Sequence, residues 1–229
     1  MPGRTRRISW AVSGLLLSAC GDGGSADEGT DPTNDPGDCS QATETLDDYL
    51  IIESEDDLAG LAGIRVITGA LQVDKTTFAD LSALACLEEV GDDLTIFGNT
   101  ELSDVSGLSA LQRVGGSLVF SENTALRQFD GAGSLEFVGG SVVIQGNAAM
   151  EGIDGLGSLA TIEGALNIRS NAELTHIDGL QGLRTVGGQL AITQNPNLCI
   201  SSINRVGGGI TDPAVIPDNW STRSNDDSC

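Results

Sequence analysis

The stretch VGGSLVFSENTALRQFDG at 114–131 returns as VGGSVVIQGNAAMEGIDG at 138–155. Nothing else in the chain constrains its fold as strongly. Leu111, Val114, Leu118, Phe120, Asn123, Leu126, Phe129 and Ala132 define one register. Moved on by 24, it meets Leu135, Val138, Val142, Ile144, Asn147, Met150, Ile153 and Leu156. Two further steps reach Leu159 to Leu180 and then Leu183 to Leu198, and one step back reaches Leu87 to Leu108. A shorter coil follows Ile64, Ile67, Leu71, Val73, Phe78, Leu81 and Leu84, and a half-coil around Leu50, Ile52, Leu58 and Leu61 starts the series. A fixed period of this length marks a repeat architecture. One coil cannot bury its apolar side alone, whereas stacking makes a continuous core.

The unit reads LxxLxxVxGxLxIxxNxxLxxIxGL. Its LxI element alternates inward and outward, as a half-buried strand does. Successive coils therefore place these strands side by side in a parallel sheet, about 4.8 Å apart. Gly107, Gly131, Gly155 and Gly179 interrupt the stretch after each Asn, so short strands or single 3₁₀ turns are expected there rather than helices. Gly69, Gly116, Gly140, Gly164 and Gly188 share a column before the strand, broken by Asp92; the expectation is a turn with positive φ. Asn99, Asn123, Asn147, Asn171 and Asn195 form an inward column. Buried amides need partners, so they are expected to bond the backbone of adjacent coils as a structural ladder.

The pattern resembles leucine-rich repeats, but the spacing after Asn is one residue longer and the convex helix is missing. It is closer to the receptor L domain, whose motif GxLxIxxNxxLxxLxGL stands here as GGSLVFSENTALRQFDGA, GGSVVIQGNAAMEGIDGL and EGALNIRSNAELTHIDGL. The resemblance covers residues 39–229. It implies a mostly β, right-handed parallel β-solenoid of about six 24-residue coils with disulfide-tied caps. It does not extend to the receptor role, because nothing in the chain resembles a kinase, a furin-like region or a transmembrane helix.

The ends read differently. Arg4, Arg6 and Arg7 precede an apolar run from Ile8 to Ala19, too short for a spanning helix of about 20 residues. The run ends in Leu17-Ser18-Ala19-Cys20, which resembles the lipobox of bacterial lipoproteins. That resemblance implies a signal peptide over 1–19, cleavage before Cys20 and lipidation of its sulfur. Residues 20–38 then form a Gly-, Asp- and Pro-rich tether, with six acids and no base in residues 21–38; such a composition cannot bury enough surface to fold. Gly21 after Cys20 resembles an outer-membrane address. The expected setting is the cell envelope, held at the membrane by the N-terminal lipid.

The chain's net charge is −22, and loss of residues 1–19 with their three Arg would make it −25. Such an acid excess argues against nucleic acid and anionic headgroups as partners of the protein surface. With Cys20 lipidated, Cys39, Cys86, Cys199 and Cys229 remain, an even number in an exported chain. Three pairings are open. Cys39–Cys86 and Cys199–Cys229 are expected, because each pair flanks one end of the folded region. No pair has CxxC spacing, which argues against zinc at the cysteines.

Candidate chemistry is sparse. Asp130, Asp154 and Asp178 share a column with Ser106. A cation ladder or an acid cluster cleaving polysaccharide is one reading; Asx-type turns are preferred. His176, the one histidine, has Gln128 and Gly152 in its column and no evident partner. No nucleophile elbow, HExxH, P-loop or dinucleotide fingerprint occurs. No catalytic residue, metal site or cofactor is therefore expected. The candidate binding face is the outward side of the sheet: Gln72, Thr95, Val119, Val143, Asn167 and Ala191 in one column, Phe97, Ser121, Gln145, Arg169 and Thr193 in the next. The expected function is non-enzymatic recognition, adhesion or scaffolding at a cell envelope, with a glycan or envelope protein as partner. The alternative is a β-helix enzyme acting on polysaccharide.

Overall fold

The structure is a computed structural model that describes residues 39, 42, 44–47, 49–211 and 220–229. The signal peptide, Cys20 and the tether lie outside the described residues. Three parallel ladders run along the stack. The longest has eight strands, in the order β17-β16-β14-β11-β8-β6-β4-β2. These are β2 (Leu50–Ile52), β4 (Leu71–Asp74), β6 (Leu94–Phe97), β8 (Leu118–Ser121), β11 (Val142–Gln145), β14 (Leu166–Arg169), β16 (Leu190–Thr193) and β17 (Trp220–Ser221). The second has seven, β1 (Glu44–Leu46), β3 (Ile64–Ile67), β5 (Glu89–Val90), β7 (Arg113–Val114), β10 (Phe137–Val138), β13 (Thr161–Ile162) and β15 (Thr185–Val186), paired in chain order. The third pairs only β9 (Gln128–Phe129) with β12 (Gly152–Ile153), and an isolated parallel bridge from Gly152 to His176 extends it. Elsewhere that side is turned by 3₁₀ segments at Ser82–Leu84, Ser106–Leu108 and Asp178–Leu180. The fold is thus mostly β, a parallel solenoid of about six coils.

Register is strict where the sequence period is strict. Leu118, Val119, Phe120 and Ser121 pair with Val142, Val143, Ile144 and Gln145, which pair in turn with Leu166, Asn167, Ile168 and Arg169. A slip of one residue would turn every inward side chain outward. The inward set Leu94, Ile96, Phe120, Val142, Ile144, Leu166, Ile168 and Ile192 is fully buried. Phe120 meets Phe129 edge to face across the core, ring centroids 4.5 Å apart, a geometry favoured by the ring quadrupoles.

Behind the main strands the five asparagines, each 0 % exposed, form one continuous chain of bonds. Asn147 Nδ2 donates to Phe120 O at 3.0 Å, and its Oδ1 accepts from Asn123 N at 3.0 Å. Asn171 repeats this with Ile144 O and Asn147 N at 3.1 Å each. Each amide thereby satisfies an N–H that the bend takes out of the sheet and adds a bond to a strand carbonyl. Both ends are finished by residues that stand in the same structural position but off the 24-residue period. Thr76 N and Oγ1 donate to Asn99 Oδ1 at 2.8 and 2.7 Å. Asn225 accepts from Asn195 N at 3.1 Å and donates to Ile192 O at 2.6 Å.

The caps are tied by the expected disulfides, Cys39–Cys86 and Cys199–Cys229, with Cα atoms 5.3 and 5.7 Å apart. Each end also carries a helix. α1 (Glu55–Ala59) starts with a capping box, in which Asp57 N donates to Ser54 Oγ at 3.2 Å and Ser54 N to Asp57 Oδ2 at 3.1 Å. α2 (Ile200–Gly209) buries Ile203 and Val206 over the last coil. Nothing in the residue pattern hinted at α2, because Gly207-Gly208-Gly209 reads as a helix breaker.

One expectation about the turns is corrected. The glycines before the strand do not have positive φ. They are small because coils approach closely there: a Cβ at Gly140 would stand 2.7 Å from the Gly116 carbonyl carbon and 2.5 Å from Ser117 Oγ. The left-handed column lies on the other side of the strand, before each Asn. Lys75, Gly98, Glu122, Gly146, Ser170 and Gln194 have φ of 52°, 69°, 58°, 68°, 57° and 60°. Four of the six are not glycine, so composition concealed the column.

Candidate functional site

The eight-stranded ladder presents two outward columns. Gln72, Thr95, Val119, Val143, Asn167 and Ala191 stand in register in one; Asp74, Phe97, Ser121, Gln145, Arg169 and Thr193 in the other. All the candidate face residues read from the sequence are brought together on this one surface. Ser121 is buried and Arg169 exposed; the rest are half-buried, because parallel stacking makes each side chain shade its neighbours.

The chemistry of this face departs from the rest of the molecule. In a chain with 33 acidic residues, its two columns hold one carboxylate, Asp74, and one guanidinium, Arg169. Amides, hydroxyls, aliphatic groups and the Phe97 ring fill the remainder. Gln145 Oε1 accepts from Arg169 Nε at 2.7 Å, tying the guanidinium to the neighbouring coil. At the other end Tyr49 donates its hydroxyl to Gln72 Oε1 at 2.6 Å, and Gln72 Nε2 donates to Asp74 Oδ2 at 3.4 Å. Lys75 Nζ lies 5.3 Å from the Phe97 ring centroid, near enough for cation–π attraction. Sequence reasoning missed Tyr49 and Asp74: Asp74 follows two residues after Gln72 on the same strand, whereas Tyr49 precedes the half-coil, where the regular period gives no register.

The aspartate column behaves otherwise than expected. Within the stacked coils described, Asx turns occur two residues earlier, in the first coils, and one more closes the chain at Asp226–Ser228. Ser82 N donates to Asp80 Oδ1 at 2.9 Å, and Ser106 N to Asp104 Oδ1 at 2.7 Å. The Ser82 hydroxyl first, then its N–H, hold the Asp80 carboxyl below the usual aspartate value. In the later coils Asp154 and Asp178 bond side chains instead. Asp178 Oδ1 accepts from Arg205 Nη1 and from Gln181 Nε2, each at 3.0 Å. Asp154 Oδ2 stands 3.1 Å from His176 Nε2. Asp130 is exposed and has no partner among the described residues. His176, expected to be alone, has a second contact through Nδ1 with Thr175 Oγ1 at 2.9 Å. Column alignment missed both, because Asp154 stands off the period from His176 and Thr175 is a chain neighbour.

The Thr175–His176–Asp154 line has the order of a nucleophile, base and orienting acid. It lacks the proton arrangement of one: Thr175 Oγ1 donates to the Glu151 carbonyl at 2.9 Å, so the hydroxyl proton does not point at the imidazole. Among the described residues no helix is long and apolar enough to cross a membrane.

The architecture defines the class, a parallel β-solenoid with a flat sheet face. Residues 112–206 match the family model of the Receptor L domain, and the fold is receptor L-domain-like. The matched segment spans β8, β11, β14 and β16 and their turns. That family comprises ligand-binding, non-catalytic modules. Searches of curated proteins and of solved structures gave no match.

Proposed function

We propose that this protein is a lipid-anchored recognition module of a bacterial cell envelope, and that it binds a neutral polymer across the outward face of its eight-stranded ladder. The observation that carries this reading is the near-absence of charge on that face in a chain of net charge −22. A solvated surface of this protein is acidic by default; a strip of amides, hydroxyls and aliphatic side chains along six strands is not. Such a strip offers paired donors and acceptors for hydroxyl-rich ligands, and Phe97, Val119 and Val143 offer apolar contact for sugar faces or an extended peptide. The match to a ligand-binding family supports the same surface role. The side-chain partners of Asp154 and Asp178 speak against a free acid pair for polysaccharide cleavage.

A screen of the purified chain against envelope glycans and envelope proteins tests the proposal. Val119→Glu and Val143→Glu place charge in the strip without touching the core. Each is expected to weaken the ligand found by at least about tenfold with an unchanged melting curve. Binding that survives both substitutions puts the ligand elsewhere. The anchor is checked separately: Cys20→Ala is expected to move the protein from the membrane fraction to the soluble one.

A further inference from the structure

We infer that His176, Asp154 and Gln128 form a binding site for a divalent ion of the zinc class on the side of the solenoid carried by β9 and β12, away from the sheet face. A count of protons leads there. Thr175 has one hydroxyl proton, and its contact with the Glu151 carbonyl at 2.9 Å uses it, because a carbonyl can only accept. The contact between Thr175 Oγ1 and His176 Nδ1 at 2.9 Å then needs its proton on Nδ1. A neutral imidazole protonated at Nδ1 has a bare lone pair at Nε2, and that lone pair faces Asp154 Oδ2 at 3.1 Å. Two acceptors at this distance require a cation between them, either a proton on Nε2 or a metal ion.

A third acceptor lies beside the imidazole. Gln128 Oε1 is buried and has no hydrogen-bond partner. A Cβ at Gly152 would stand 2.3 Å from His176 Nε2 and 2.7 Å from Gln128 Oε1, so both atoms pack over the bare α-carbon of one buried glycine. The stacking explains the convergence. Gln128, Gly152 and His176 occupy one column of successive coils, tied by the β9–β12 pairing and the Gly152–His176 bridge.

A metal ion on Nε2 resolves the count. Metal-bound imidazoles donate their other N–H to an oxygen that fixes the ring, and Thr175, held by Glu151, is placed to be that oxygen. Two ligand atoms about 2.0 Å from a tetrahedral ion stand about 3.3 Å apart, close to the observed separation of Nε2 and Oδ2. Imidazole nitrogen with carboxylate and amide oxygens suits zinc and its first-row neighbours rather than magnesium or calcium. A water would complete the tetrahedron. The sequence could not show this site, since its ligands follow no metal-binding spacing and come from three successive coils.

The chain has one histidine, so its imidazole proton resonances report on this site alone. Zinc chloride titrated into the metal-stripped full chain near neutral pH is expected to shift both resonances, saturating at one ion per chain with a Kd below about 0.1 mM. Asp154→Asn and Gln128→Leu are each expected to weaken binding at least about tenfold, and Thr175→Val by about tenfold through loss of the outer contact. Asp130→Asn, one coil away in the Asp154 column, is expected to change nothing. Three results would each overturn the site: resonances unmoved by zinc, showing an imidazolium–carboxylate pair only; equal shifts with magnesium, showing general attraction to an acidic surface; or full zinc affinity in both ligand variants. Binding by the sheet face is read separately, so either proposal can fail without the other.

Discussion

The middle of the solenoid and its two ends solve the same problem by different means. From Leu94 to Leu198 the coils keep one constant period, and neither disulfide joins two of these coils. Each coil gets its hydrogen-bond partners and its apolar neighbour from the next one. The first coils are shorter: Leu50 already pairs with Leu71, and Leu71 with Leu94. There and after Leu198 the chain adds what a missing neighbour would have supplied, namely α1 and α2, two disulfides, and Thr76 and Asn225 to finish the Asn ladder. Repetition is thus a way of making every internal interface alike, and the ends are where the protein needs specific devices.

The sharpest way to break this contrast is to cut the ladder in its middle and at its end. Asn147→Ala leaves Asn123 N buried without a partner and removes one bond from Phe120 O, a carbonyl inside the β8–β11 ladder. At about 1–3 kcal/mol for the orphaned N–H and about 1 kcal/mol for the lost bond to the carbonyl, the expected loss is about 3 kcal/mol. Asn225→Ala removes equivalent bonds where the groups are only partly buried, and water can replace them; the expected loss is about 1 kcal/mol. Urea unfolding of the two variants measures the difference. Equal losses would mean that the end of the ladder is as dry as its centre.

The covalent ties should matter in the opposite sense, at the ends alone. Cys39–Cys86 closes a separation of 47 residues and Cys199–Cys229 one of 30. Chain-entropy arguments assign each about 4 kcal/mol at most. Cys86→Ser is expected to loosen the first coils and Cys199→Ser the last, as read by amide hydrogen exchange. In both cases the amides of β8, β11 and β14 should keep their protection, because their partners lie in adjacent coils. Loss of protection throughout would show that the stack is one cooperative unit rather than a row of them.

The smallest effect sharpens the comparison within the repeats. Gly146 and Glu122 occupy the same left-handed position in adjacent coils, at φ 68° and 58°. A Cβ at Gly146 would meet only ordinary contact, 3.5 Å from Glu122 Cγ. Gly146→Ala is therefore expected to cost about 1 kcal/mol from backbone strain alone, and Glu122→Gly to gain up to about the same. Shifts in the urea midpoint in those directions check both.

The period, the inward columns and the ladder asparagines were legible because stacking converts a chemical need into a sequence repeat. Leu118 and Leu166 are recognisable from the residue pattern alone, since the same pocket is presented at every turn. The left-handed column was not legible, because Lys75, Glu122, Ser170 and Gln194 disguise it. Asn225 was not legible either: it joins the ladder from beyond Asn195 and outside the period. The candidate face could be enumerated from the alternation of the strands, but Tyr49 and Asp74 at its rim come from coils of irregular length.

By itself the amino-acid sequence determined that coils of one length must stack, which residues face inward, and that four cysteines lie at the two ends. These follow from periodicity and from the cost of exposing apolar surface, both local properties of the chain. Only the tertiary structure decided which polar atoms meet across coils: that His176 reaches Asp154, that Gln128 Oε1 is buried, and that Asn225 closes the Asn ladder. The physical reason is that hydrogen bonds and ion contacts depend on small differences in distance between residues far apart in the chain, and a repeat fixes the rung on which a side chain stands without fixing where its tip points.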